Sequence, residues 1–153
     1  MSTDRKKNIR DKQLLDSVTE EQMNEEMAEI KKALFHQIHR HGNKLASETD
    51  LDTSLSKLLL LRKLSDELND LAEIVAASAV SRHVSLSNIG RAYGLDPANV
   101  KRKFKDLDAI NAAKKKFYET REPVPVTING RTIMFDRTFI SGEYKEKSLW
   151  PRE

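Results

Sequence analysis

The sequence predicts a mainly α fold that ends in one β-hairpin, and three observations point to it. Apolar residues recur at spacings of three and four through Met23, Met27, Ile30, Leu34 and Ile38, and again through Leu61, Leu64, Leu68, Leu71 and Val75. Two short helical segments then meet across Gly94 and Leu95. Near the C-terminus, Asn129-Gly130 lies between alternating apolar residues, the strongest short signal for a two-residue hairpin turn.

Residues 1–16 are polar and rich in lysine and aspartate, and read as a disordered tail. Arg5, Lys6, Lys7 and Arg10 would either solubilise the chain or touch phosphates. Residues 17–82 read as a long helical hairpin. Thr19 suits the cap of its first helix, and Glu20, Glu21, Glu25 and Glu26 sit near the positive end of the helix dipole. Gly42 is expected to stop this helix, with His36, His39, Arg40 and His41 in its last turn. The histidines lack a metal-ligand spacing and a completing Cys or carboxylate, so no metal and no cofactor are expected. A polar connection, residues 43–50, leads to a helix of residues 51–82 capped by Asp50 or Asp52. Its leucine seam would serve an intramolecular core or a homodimer, since heptads alone do not set oligomeric state. Ala72, Ala76, Ala77 and Ala79 would let its end pack closely on the short helices after it.

Residues 83–122 carry the informative stretch. Ile89 and Tyr93 share a helix face, and Gly90 lets a second helix cross close by. Gly94 suits the left-handed position after a helix end, and Leu95 plugs the turn. Asp96 and Pro97 suit the cap and first position of the next helix. That helix would place Val100, Phe104 and Leu107 inward, leaving Ala98, Arg102 and Lys105 opposite and Lys101 to the side. A basic helix of this kind can enter a major groove, where arginine and lysine reach guanine edges or phosphates.

On Ile89-Gly90, Gly94-Leu95 and Val100, the chain resembles the helix-turn-helix family of bacterial DNA-binding proteins, in the variant of small actinobacterial regulators whose recognition helix ends basic-basic-Phe. Lys103 departs from the apolar residue usual there, and Phe104 is expected to take over its packing. The resemblance covers about 25 residues. It implies double-stranded DNA as partner, read or gripped by Ser87, Ala98, Asn99, Lys101, Arg102 and Lys105.

A further helix should end before Pro123, with Lys114, Lys115 and Lys116 on a solvated surface or near phosphates. Residues 123–153 read as a β-hairpin and a tail. The turn at Asn129-Gly130 pairs Val126 with Ile133 and Val124 with Phe135 on an inward face, and Thr127 with Thr132 outside. In winged members of the resembled family such a hairpin touches the DNA backbone, and Arg131 at its tip suits that role. Trp150 either anchors the tail or inserts into a partner.

The chain has 153 residues and no cysteine, which excludes disulfides and thiolate chemistry and fits a cytoplasmic protein. No apolar run approaches membrane-spanning length, so no membrane partner is expected. Net charge is only +3, but residues 83–122 hold 9 basic against 5 acidic side chains, whereas residues 1–82 hold 13 against 15. The basic excess therefore gathers at the candidate motif, as expected of a nucleic-acid module. Neither a glycine-rich phosphate loop nor a nucleophile–base pair is apparent, so the expectation is a binding protein and not an enzyme. It is either a sequence-specific DNA-binding protein, a transcriptional regulator or mobile-element protein, or a helical protein–protein interaction module without DNA binding.

Overall fold

The computed structural model describes residues 3–144. Leu149 and Trp150, the apolar residues of the tail, lie outside them. The order is α1 (Thr3–Ser17), α2 (Glu20–Thr49), α3 (Thr53–Ser81), α4 (Leu86–Tyr93), α5 (Pro97–Lys103), α6 (Leu107–Thr120), β1 (Val124–Ile128), β2 (Arg131–Phe135) and α7 (Arg137–Ser141). The mainly α class with a single antiparallel hairpin is the one the sequence predicts. These elements form two compact units. One is Ser17–Asn69, and the other contains the chain up to Asp16 and from Asp70 onward.

In the unit of Ser17–Asn69, Thr19 caps α2 through a reciprocal pair of bonds with Gln22. The helix does not stop at Gly42, and residues 43–49 are its last turns instead of a polar connection. Gly42 is buried where α3 crosses, and a Cβ there would lie 2.5 Å from Lys57 Cγ. The glycine serves a close approach, and the helix ends at Asp50, in the left-handed region at φ 60°. The histidines thus lie inside the helix and not in its last turn. His39 Nδ1 is 3.1 Å from Lys57 Nζ, and its ring stacks on Phe35. Asp52 caps α3, its Oδ1 accepting from the Ser54 and Leu55 amides. Most of the apolar stripes stay exposed: Met23, Met27, Ile30 and Leu34 on α2, and Leu55, Leu58, Leu59, Leu61 and Leu68 on α3.

The second unit holds the main core. Ile74, Ala76 and Ala77 of α3 pack with Ile89, Val100, Phe104, Leu107, Ile110 and Phe117, so the small residues at the end of α3 do support the short helices. The hairpin has the expected register, Val124 opposite Phe135 and Val126 opposite Ile133, with Thr127 opposite Thr132. Asn129 and Gly130 both take positive φ, 51° and 75°, as a two-residue turn of the twist-matching kind requires. The Val124, Val126, Ile128, Ile133 and Phe135 face is buried.

Two helices are absent from the sequence reading. Residues 3–17 are helical and not a disordered tail. None of the side chains of α1 is buried, and polar ties hold it to the α3–α4 turn. Asn8 donates to the His83 carbonyl and accepts from the Ser85 amide, while Lys7 donates to the Arg82 carbonyl. The Asn88 side chain donates to the Asn8 carbonyl at 2.8 Å. The other unforeseen element is α7, between its cap Asp136, which accepts from the Phe139 amide, and Gly142. It brings Phe139 into the core beside Phe135, and Ser78 of α3 and Arg82 just after it donate to the Phe139 and Ile140 carbonyls.

Candidate nucleic-acid interface

The site is built on the α4–α5 pair. Ser85 caps α4, its hydroxyl accepting from the Asn88 amide. Gly94 ends the helix at φ 79°, and the Leu95 amide donates to the Gly90 carbonyl at 2.7 Å. A Cβ on Gly90 would run into the Leu95 carbonyl and come within 3.2 Å of Val100 Cγ2. Only glycine lets the two helices and their turn approach this closely. Asp96 stands at the cap of α5 without a side-chain cap bond, and Pro97 occupies the first turn.

Val100 and Phe104 are buried, and the Phe104 ring lies 5.4 Å from that of Tyr93, which is itself about half exposed. Phe104 does fill the core while Lys103 stays exposed, so Lys103 adds to the basic surface instead of weakening the packing. On the outward face of α5, Ala98, Asn99, Lys101 and Arg102 are exposed together. Ser87 is half-buried in the first turn of α4. Arg91, which helical spacing does not single out, is exposed on α4 and donates to the Asn88 side chain.

Lys105 is exposed, but it does not lie on the same helix as Arg102. The helix ends at Lys103, Phe104 takes φ −111° and ψ 87°, and α6 begins only at Leu107. Nothing in the local sequence breaks the helix, since no proline or glycine stands there. The break is held from outside. Glu73 Oε1 accepts from the Asp106 amide at 3.0 Å, and Asp106 Oδ2 accepts from the Asn129 amide at 2.8 Å. The α5–α6 junction is therefore pinned between α3 and the hairpin tip.

Glu73 is only 1% exposed, and its Oε2 has no hydrogen-bond partner among the described residues. Burial raises its pKa above the ordinary carboxylate value. The nearby Asp106 and Asp70 carboxylates raise it further, while the Asp106 amide and the Asn129 side chain act in the opposite sense.

Arg131, expected at an outward tip, is instead partly buried, and its guanidinium lies 3.1 Å from Asp70 Oδ2 on α3. The hairpin thus turns its tip toward its own scaffold. Lys114 is likewise engaged, donating to the Ser81 carbonyl and lying 2.8 Å from His83 Nε2, whereas Lys115 and Lys116 are exposed.

Among the described residues no group of His, Cys, Asp and Glu is arranged to hold a metal ion, and no helix is long and apolar enough to cross a membrane. In comparisons with known proteins, no family model, no curated protein and no solved structure matches the chain significantly.

Proposed function

We propose that this chain is a sequence-specific DNA-binding protein of the cytoplasm, a transcriptional regulator or mobile-element protein, acting as a homodimer and not as an enzyme. One observation carries the reading: α5 presents Ala98, Asn99, Lys101 and Arg102 outward together, on a helix pair whose separation Gly90 fixes. An α-helix is about 10–12 Å across with its side chains, which suits a major groove about 12 Å wide. Small Ala98 lets the helix start approach base edges, Asn99 suits adenine, and Arg102 suits guanine. Lys101, Lys103 and Lys105 supply charge for phosphates.

The hairpin has no part in this reading as a wing, because Arg131 is paired with Asp70. The exposed apolar stripe of α2 favours a second reading, a helical interaction module. Selection of bound fragments from a random DNA pool, followed by titration at several salt concentrations, separates the two. A recovered consensus with salt-sensitive binding supports the first reading. Failure to retain any duplex at low salt leaves the second.

A further inference from the structure

The helix α2 is sorted by charge along its length. Residues 20–29 contain Glu20, Glu21, Glu25, Glu26 and Glu29 and no lysine or arginine. Residues 31–44 contain Lys31, Lys32, Arg40 and Lys44 and no aspartate or glutamate. Along both halves runs an apolar stripe, Met23, Met27, Ile30, Leu34 and Ile38, most of it exposed. Met23 and Ile30 are 52% and 56% exposed, Met27 and Leu34 are also exposed, and Ile38 at its end is half-buried. A stripe this apolar on an otherwise charged helix marks an interaction face.

We propose that α2 docks on α2 of a second copy of this chain, antiparallel, about a two-fold axis passing between Ile30 and Lys31. The proposal deepens the homodimer of the preceding reading by giving it an interface and an orientation. A two-fold contact is self-complementary, each residue meeting on the partner the one that meets it. About this axis Met23 faces Ile38 of the second copy and Met27 faces Leu34, so the stripe covers itself from end to end. The acidic half of each helix then lies along the basic half of the other. A parallel pair would set Glu20 and Glu26, the glutamates that flank the stripe, against their own copies, and like charges across a helical seam select against that arrangement.

The absence of cysteine from the chain makes the geometry testable in the full-length protein. Single variants Ile30→Cys, Met27→Cys and Leu34→Cys, all at exposed positions, are oxidised mildly without DNA and read on a non-reducing gel. In the antiparallel pair the two copies of residue 27 are about 10 Å apart along the axis, beyond the roughly 7 Å that a disulfide spans between Cα atoms. Ile30→Cys should therefore form covalent dimers alone. Met27→Cys and Leu34→Cys should form none separately but should cross-link when mixed. Raising the salt concentration before oxidation should lower the yield.

Cross-linking of Met27→Cys alone would establish a parallel pair and overturn the orientation. Absence of cross-links from Ile30→Cys and from the mixture would overturn the interface, whether the parent sediments as a monomer or as a dimer. Because no DNA is present, either failure is distinct from a failure of the DNA-binding reading, which the titrations report separately.

Discussion

Arg102 and Lys105 both carry exposed positive charge, but only Arg102 stands on α5. If α5 reads DNA, Arg102→Ala should cost about 1–3 kcal/mol of base discrimination, whereas Lys105→Ala should weaken all sequences alike and shallow the salt dependence. Neither change removes a buried group, so both variants should melt with the parent. Fluorescence anisotropy against specific and scrambled duplexes, beside thermal melts, checks this. Glu73 makes a prediction of another kind. Its carboxyl is raised above its ordinary value chiefly by burial. The folded state therefore holds a proton that the unfolded state has already released, and stability falls as pH rises from the ordinary carboxylate range through the raised value. Ionised Glu73 is the costly form. Glu73→Gln can still accept from the Asp106 amide without that cost, so it should melt higher than the parent at neutral pH, with the difference shrinking on acidification. Paired melting curves from about pH 4 to about pH 8 test the sign.

At the scale of elements, burial and polar anchoring divide the work. The hairpin is held by its inward face, and Phe135 lies between the Phe117 and Phe139 rings, with centroids 5.9 and 5.3 Å away. Two strands alone would be marginal, so this packing is what fixes them. Phe135→Ala should cost about 3–5 kcal/mol, because the ring is fully buried and α6 and α7 close on it from two sides. An unchanged denaturation midpoint would mean that the hairpin is detached. By contrast α1 has no buried side chain and is tied through Asn8. Asn8→Ala removes two side-chain hydrogen bonds, at about 0.5–1.5 kcal/mol each, and should expose residues 3–17 to trypsin well before the rest unfolds. Equal cleavage rates in parent and variant would deny Asn8 this role.

For the whole molecule the two compact units have separate tasks in the proposed reading. Ser17–Asn69 joins two copies, and the unit holding α4 and α5 reaches DNA. Each phosphate neutralised contributes about −0.9 to the slope of log affinity against log salt, so two motifs acting together should give about twice the slope of one. Ile30→Glu places a charge at the centre of the exposed stripe without disturbing a buried residue. It should dissociate the dimer, halve the slope and leave the melting of the DNA-binding unit unchanged. Titrations across a salt series check the slope. A dimer of undiminished affinity with the parent's slope would place the self-association elsewhere.

Features that depend on near neighbours are legible in the sequence alone. The hairpin register follows from Asn129-Gly130 and the alternation around it, since a two-residue turn leaves one way to pair the strands. The turn at Gly94 and the close crossing at Gly90 follow because a positive φ and the lack of a Cβ are local requirements. The support that α3 gives follows from the small residues at its end. Features that depend on distant partners were settled by tertiary contacts. Gly42 resembles a stop signal, yet α2 runs through it because its missing Cβ receives Lys57 from another helix. The helix after Gly94 looks continuous to Leu107, yet it breaks at Phe104 because Glu73 and Asn129, remote in sequence, hold Asp106. That break separates Lys105 from Arg102, and the Asp70 carboxylate on α3 pairs with Arg131 at the hairpin tip. Residues 3–17 lack an apolar stripe and read as tail, and their helix is fixed by Asn8 and Lys7 on backbone groups of the α3–α4 turn. Periodicity and turn chemistry carry no information about a polar bond to a carbonyl 75 residues away, so only the folded chain could reveal it.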